Sequence, residues 1–259
     1  MSDLIQLEKR GHIAVITINN PPANTWTMAS LGALKDTVEA LDADRDIFAL
    51  VVTGQGDKFF SAGADLKTFA DGDKAVAGDM GRAFADAFQA LTRFRGVSIA
   101  AINGYAMGGG LECALSCDLR VAEEQAQLAL PEAKVGLLPC AGGTQNLPWL
   151  VGEGWAKRII LCGERVKADK ALEIGLVEEV VPTGEALNRG LELAEMACQQ
   201  SPSSVAHCKR LIMSARDGRS HEDGWRMERE LFVDLFDSED QTEGVNAFLE
   251  KRAPEWKNR

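Results

Sequence analysis

A chain of 259 residues with 46% apolar and 26% charged side chains has the balance of a globular protein, which excludes intrinsic disorder. Its length suits one large domain, or one domain plus a small appendage. A formal net charge of -11 opposes nucleic acid and anionic lipid at long range, without excluding a local basic pocket for a small anion.

The first ten residues carry charges where a signal peptide needs an apolar stretch. No uncharged apolar run approaches the roughly 18 residues that span a bilayer, so we expect a cytoplasmic protein with no membrane partner. Ile13 to Ile18 is rich in β-branched residues and reads as a strand, stopped by Asn19-Asn20-Pro21-Pro22. Leu31, Leu34, Val38 and Leu41 recur at helical spacing. Phe48 to Thr53 is a fully apolar strand ended by Gly54-Gln55-Gly56, and a loop with Ser61-Ala62-Gly63-Ala64-Asp65-Leu66 follows. Residues 75–95 form a helix with Met80, Phe84, Phe88 and Leu91 on one side, either core packing or one wall of an acyl pocket.

Val97 to Ile102 is another strand, turned by Asn103-Gly104, and a helix opens near Gly109 and runs to about Cys117. Leu119 to Ala122 and Gln127 to Leu130 read as short strands, so the first part of the chain is an α/β core. From about 185 the pattern turns helical: Ala186 to Gln200, Val205 to Ala215 behind a Ser201-Pro202 cap, Gly224 to Phe236, and a short helix from Ser238 to about Lys251. We divide the chain into a core over 1–195 and a C-terminal helical region over 196–259. The latter is too short for a core of its own, so it packs on the main body or on another subunit. The six cysteines contain no Cys-x-x-Cys pair, and Cys113 and Cys117 read as small buried residues on one helix face.

Two glycine-bearing loops carry the chemical signal. Gly108-Gly109-Gly110 follows a strand and opens a helix, which lets a backbone approach a ligand and leaves amide N–H groups free at a helix N-terminus. One such amide from this loop and one from the Ala62–Asp65 loop can form an oxyanion hole; equally, the glycines can serve only close helix packing. Neither a dinucleotide fingerprint nor a P-loop is present. Glu112 lies in the first turn of the helix, as a dipole partner or as a base. Glu132 sits among Leu128, Leu130, Pro131, Leu137, Leu138 and Pro139, where Lys134 can neutralise it or burial can keep it protonated. Tyr105 reads as turn packing. Histidines occur only at 12, 207 and 221, away from these loops, and acidic spacings carry no metal signature, so neither a nucleophilic triad nor a metal is expected.

Ser61 to Leu66, Gly104 to Glu112, Pro131-Glu132 and Ala141-Gly142-Gly143-Thr144-Gln145 together resemble the crotonase (enoyl-CoA hydratase/isomerase) family, over nearly the whole chain. The resemblance implies a core of repeated ββα units with a helical C-terminal region, assembled as homotrimers or homohexamers through the C-terminal helices. It implies an acyl-CoA substrate and no cofactor beyond the coenzyme A that the substrate carries. The amides of Ala64 and Gly109 are then the oxyanion hole, and Ala23, Ala62, Ala64, Asp65, Leu66, Lys67 and Gly108 contact substrate or coenzyme A. Both hydratase carboxylate positions are filled, by Glu112 and Glu132, 20 positions apart. That retention points to hydration of a 2-enoyl-CoA, as in fatty acid β-oxidation.

Glu112 at a helix N-terminus is expected to be the charged base, and Glu132 the neutral acid. Cys140 and Asn146 depart from the family, which commonly has glycine and arginine there. The rival readings are double-bond isomerisation or other acyl-CoA lyase chemistry, and a non-catalytic acyl-CoA- or RNA-binding module; the acidic charge and the paired glutamates oppose the last.

Overall fold

The computed structural model describes residues 3–259; of the N-terminal segment read above, Met1 and Ser2 lie outside them. The expected strand at 13–18 is β2 (Ile13–Ile18), and it pairs antiparallel with β1 (Ile5–Arg10). β1 escaped the sequence reading because it is an edge strand whose outer half, Glu8-Lys9-Arg10, is exposed and charged. α1 (Met28–Ala43) carries Leu31, Leu34, Val38 and Leu41 inward, and Thr27 and Ser30 close its N-terminus as a capping box.

Three ββα passages follow. β3 (Ala49–Gly54) and β4 (Phe59–Ser61) lead to α2 (Lys74–Arg93); β5 (Val97–Ile102) and β6 (Tyr105–Met107) lead to α3 (Gly109–Leu115). β7 (Leu119–Glu123) and β8 (Gln127–Ala129) lead, through a 3₁₀ turn at Glu132–Val135, to α4 (Gly143–Leu161). In each passage the first strand joins one sheet and the second joins another. The larger sheet runs β1-β2-β3-β5-β7-β10, the smaller β4-β6-β8-β9, with β9 (Val166–Lys167) and β10 (Glu179–Val181) entering around α5 (Ala168–Glu173). The expected ββα repetition is thus present as two sheets threaded alternately.

Period-two patterning explains how β3 is buried along its whole length. Leu50 and Val52 face the main core with Leu34, Phe60 and Leu111, while Ala49 and Val51 face Ala186 and Ala194 of α6 (Ala186–Cys198). α4 was not anticipated, because Pro148 lies inside it and Gly152 breaks it with a φ of 74°. The chain ends in α7 (Pro202–Arg216), α8 (His221–Asp234) and α9 (Glu239–Glu250). Among the described residues, no helix is long and apolar enough to cross a membrane.

Candidate active site

The alternate threading delivers two loops to one place. The loop after β4 is fixed from beneath by Trp26, whose N–H donates to the Gly63 carbonyl (2.8 Å) and whose carbonyl accepts from Asp65 N–H (3.1 Å). Those two bonds make Trp26 and Ala64 parallel bridge partners, so the Ala64 amide points away from Trp26. Ala62 N–H donates to the Ala23 carbonyl, and the Asn24 amide holds the carbonyls of Gln55 and Phe59.

The second loop comes from the end of β6. Gly108 N–H donates to the Ala129 carbonyl, and Gly109 begins α3. The loops meet backbone to backbone: a Cβ on Gly63 would lie 2.7 Å from the Met107 carbonyl oxygen and 3.1 Å from Gly109 N, and one on Gly110 would lie 2.1 Å from the Ser61 oxygen. Gly63 also has a φ of 90°, so no side chain suits it. Neither the Ala64 nor the Gly109 amide donates to any other group among the described residues. Two free N–H groups on adjacent strands of backbone can grip one carbonyl oxygen and stabilise negative charge on it.

Both glutamates border the Gly108 turn. Glu112 N–H donates to the Gly108 carbonyl, and Glu132 Oε1 lies 3.0 Å from where a Gly108 Cβ would sit. Glu112 is buried, and its Oε1 accepts N–H groups from Ala141 (2.8 Å) and Gly143 (2.9 Å). A Cβ on Gly143 would crowd that oxygen at 3.0 Å, which accounts for a glycine there. Burial raises the Glu112 pKa against these two amides, contrary to the expectation that the helix N-terminus would leave it below its ordinary value. Desolvation outweighs a short helix of seven residues.

Glu132 is pushed up to about 7, first by burial and then by the charge of Glu112, with its own backbone amide opposing. Its Oε2 is buried with no hydrogen-bond partner among the described residues. Among the described residues no ion pair joins Lys134 to it; the lysine stem lies against Gly163 instead. Both carboxylates are thus raised by burial, Glu132 to about 7 with no amide from another residue opposing it, and Glu112 against two amides. Two carboxyl groups bordering one turn, beside two free amides, have the chemistry for proton transfer next to a bound carbonyl.

The remaining predicted contacts lie on or beside the same two loops. Asp65 caps the 3₁₀ turn Leu66–Phe69 by accepting from Lys67 N–H, leaving Leu66 and Lys67 exposed. The sequence reading gave no structural role to three features. The Ala141–Gly143 turn cradles Glu112; its run of glycines was the available signal. Cys140 is exposed near both carboxylates, whose charges, after partial burial, raise its thiol pKa. Trp26 meets the second loop, with Cδ1 3.4 Å from a Gly109 Cβ position, and Phe84 of α2 lies there at 2.8 Å. Nothing in the apolar pattern marked Trp26. Asn146 N–H donates to the Gly142 carbonyl and so stiffens the cradle.

The enoyl-CoA hydratase/isomerase family pattern matches residues 8–259. A solved structure of DspI from Pseudomonas aeruginosa is 65% identical and superposes with a TM-score of 0.95, covering 98% of this chain and 97% of that one. The short-chain-enoyl-CoA hydratase of Clostridium acetobutylicum is 37% identical over 98% of this chain and 97% of its own length. The 2,3-dehydroadipyl-CoA hydratase of Escherichia coli is 38% identical over the full length of both. With two alternately threaded sheets, two glycine loops and nearly complete coverage in agreement, the chain belongs to the enoyl-CoA hydratase/isomerase family of enzymes.

Proposed function

We propose that this enzyme adds water across the double bond of a 2-enoyl-CoA thioester, giving 3-hydroxyacyl-CoA. The observation that carries the reading is the placement of Glu112 and Glu132 around one glycine turn, next to the unpaired amides of Ala64 and Gly109. The thioester oxygen lies between those amides. Glu112, whose Oε1 is already saturated by Ala141 and Gly143, uses Oε2 to take a proton from water as the oxygen bonds to the β-carbon. Negative charge moves to the thioester oxygen, and Glu132 delivers its proton to the α-carbon. Relatives named as hydratases support this direction.

Ala23, Ala62, Asp65, Leu66, Lys67 and Gly108 contact the coenzyme A portion or the acyl thioester, with Lys67 exposed for a phosphate. Residues 196–259 serve assembly into trimers or pairs of trimers, since Phe232, Phe236, Phe248 and Leu249 are exposed there. The family description also names isomerisation, which needs one carboxylate to shuttle a proton; the unpartnered Oε2 of Glu132 is suited to it.

The test is turnover of crotonyl-CoA, following loss of the enoyl absorbance against 3-hydroxyacyl-CoA formed. Glu112→Gln and Glu132→Gln are each expected to lower the rate at least about a hundredfold, the low end of acid–base catalysis. Normal rates in both folded variants refute the pairing; a shifted double bond without hydroxyacyl product favours isomerisation.

A further inference from the structure

We infer that Trp26 is a positioning residue that holds the two amide donors at a fixed separation, an inference resting on the thioester-binding reading of this site. Its main chain and its side chain grip different loops. The main chain clamps Gly63 and Asp65 and so sets the direction of the Ala64 N–H. The indole reaches Gly109, with Cδ1 at 3.4 Å from that residue's Cβ position.

The indole is itself wedged. It is fully buried, meets the Phe88 ring edge-on at 5.6 Å, and Phe88 in turn packs edge-on against Phe84 at 5.5 Å. Phe84 closes on the same Cβ position of that glycine, at 2.8 Å. One rigid side chain therefore spans the distance between the loops, backed by α2. The arrangement has a cost: the indole N–H is buried with no acceptor among the described residues, a state that proteins rarely keep. A leucine would fill apolar space without orphaning a donor, so what tryptophan adds here is a flat, stiff spacer.

An oxyanion hole depends on the distance between its donors, and a misplacement of about 1 Å can cost on the order of a hundredfold in rate. Softening the spacer is thus expected to act on the chemical step more than on binding. Trp26→Leu should lower kcat for crotonyl-CoA by about tenfold to a hundredfold, with KM changed less than about twofold. Trp26→Phe, which keeps a flat ring, should recover part of that loss. The pH–rate profile should keep its shape, because the two carboxylates are untouched.

A second readout does not depend on turnover. A conjugated thioester such as cinnamoyl-CoA shifts its absorbance to longer wavelength when its carbonyl is polarised, so the shift on binding reports the two amides directly. The shift should shrink in the order parent, Trp26→Phe, Trp26→Leu. If the parent shows the shift yet forms no hydroxyacyl product, the hydratase reading fails and the spacer role stands. Should Trp26→Leu fold with kcat and shift intact, or change KM alone, Trp26 is only a wall of the acyl pocket and the proposal is overturned. A parent with no shift overturns both.

Discussion

At the scale of single residues, Glu132 sets the pH response. Its pKa of about 7 means that it holds its proton below that pH and loses it above. As the proton donor it should make kcat/KM for hydration fall as pH rises through about 7, approaching tenfold per unit. As the proposed base, Glu112, also raised but held by two amides, should govern the acid side, where protonation removes it. The pair titrates as a unit, so the two limbs belong to both. A profile flat from pH 6 to 9 would remove Glu132 from the donor role. Both glutamates were legible in the sequence as residues with a chemical setting, but the reason for the Glu112 shift was not. The helix dipole can be inferred from a glycine run; the enclosure formed with Leu130, Pro139 and a turn 29 residues along the chain cannot.

At the scale of elements, the C-terminal helices are tied to the body by buried polar anchors. Asp240, 1% exposed at the start of α9, accepts the N–H groups of Lys257 and Asn258 on one oxygen and the Ser203 hydroxyl and amide on the other. Asn258 then exchanges hydrogen bonds with Arg45, close to the end of α1. Removing the carboxylate strands several donors at once. Asp240→Ala should therefore destabilise by about 3 kcal/mol, read as a lowered urea midpoint with an unchanged slope. A loss under about 0.5 kcal/mol would mean that water replaces the carboxylate easily. Strong periodicity made α1, α2 and α6 visible from spacing, as in Leu31, Leu34, Val38 and Leu41. Three-residue strands such as β4 and β6 hold too few side chains to show an alternation, and α4 is hidden by Pro148 and Gly152. These short elements carry the two loops of the candidate site, so that site was legible through its glycines and acids rather than through its scaffold.

For the whole molecule, large apolar side chains remain in water on the C-terminal helices: Phe248 is 82% exposed and Leu249 71%, with Phe232 and Phe236 packed edge-on against each other nearby in the chain. Exposed apolar surface of this kind marks contact between protein chains. We expect sedimentation velocity to give a trimer or hexamer for the parent, and a smaller species for the double variant Phe248→Asp, Leu249→Asp. A parent that sediments as a monomer at micromolar concentration refutes the assembly role of 196–259. The backbone contact between the Ser61–Asp65 and Met107–Gly110 loops bears on how such an enzyme diversifies. If the proposed hold on a thioester is made by these peptide groups, mutation cannot exchange it, so evolution or an engineer must change substrate choice in side chains elsewhere, such as Phe84 of α2 beside Gly109. New acyl groups can then be accommodated while the reactive carbonyl stays docked where it was.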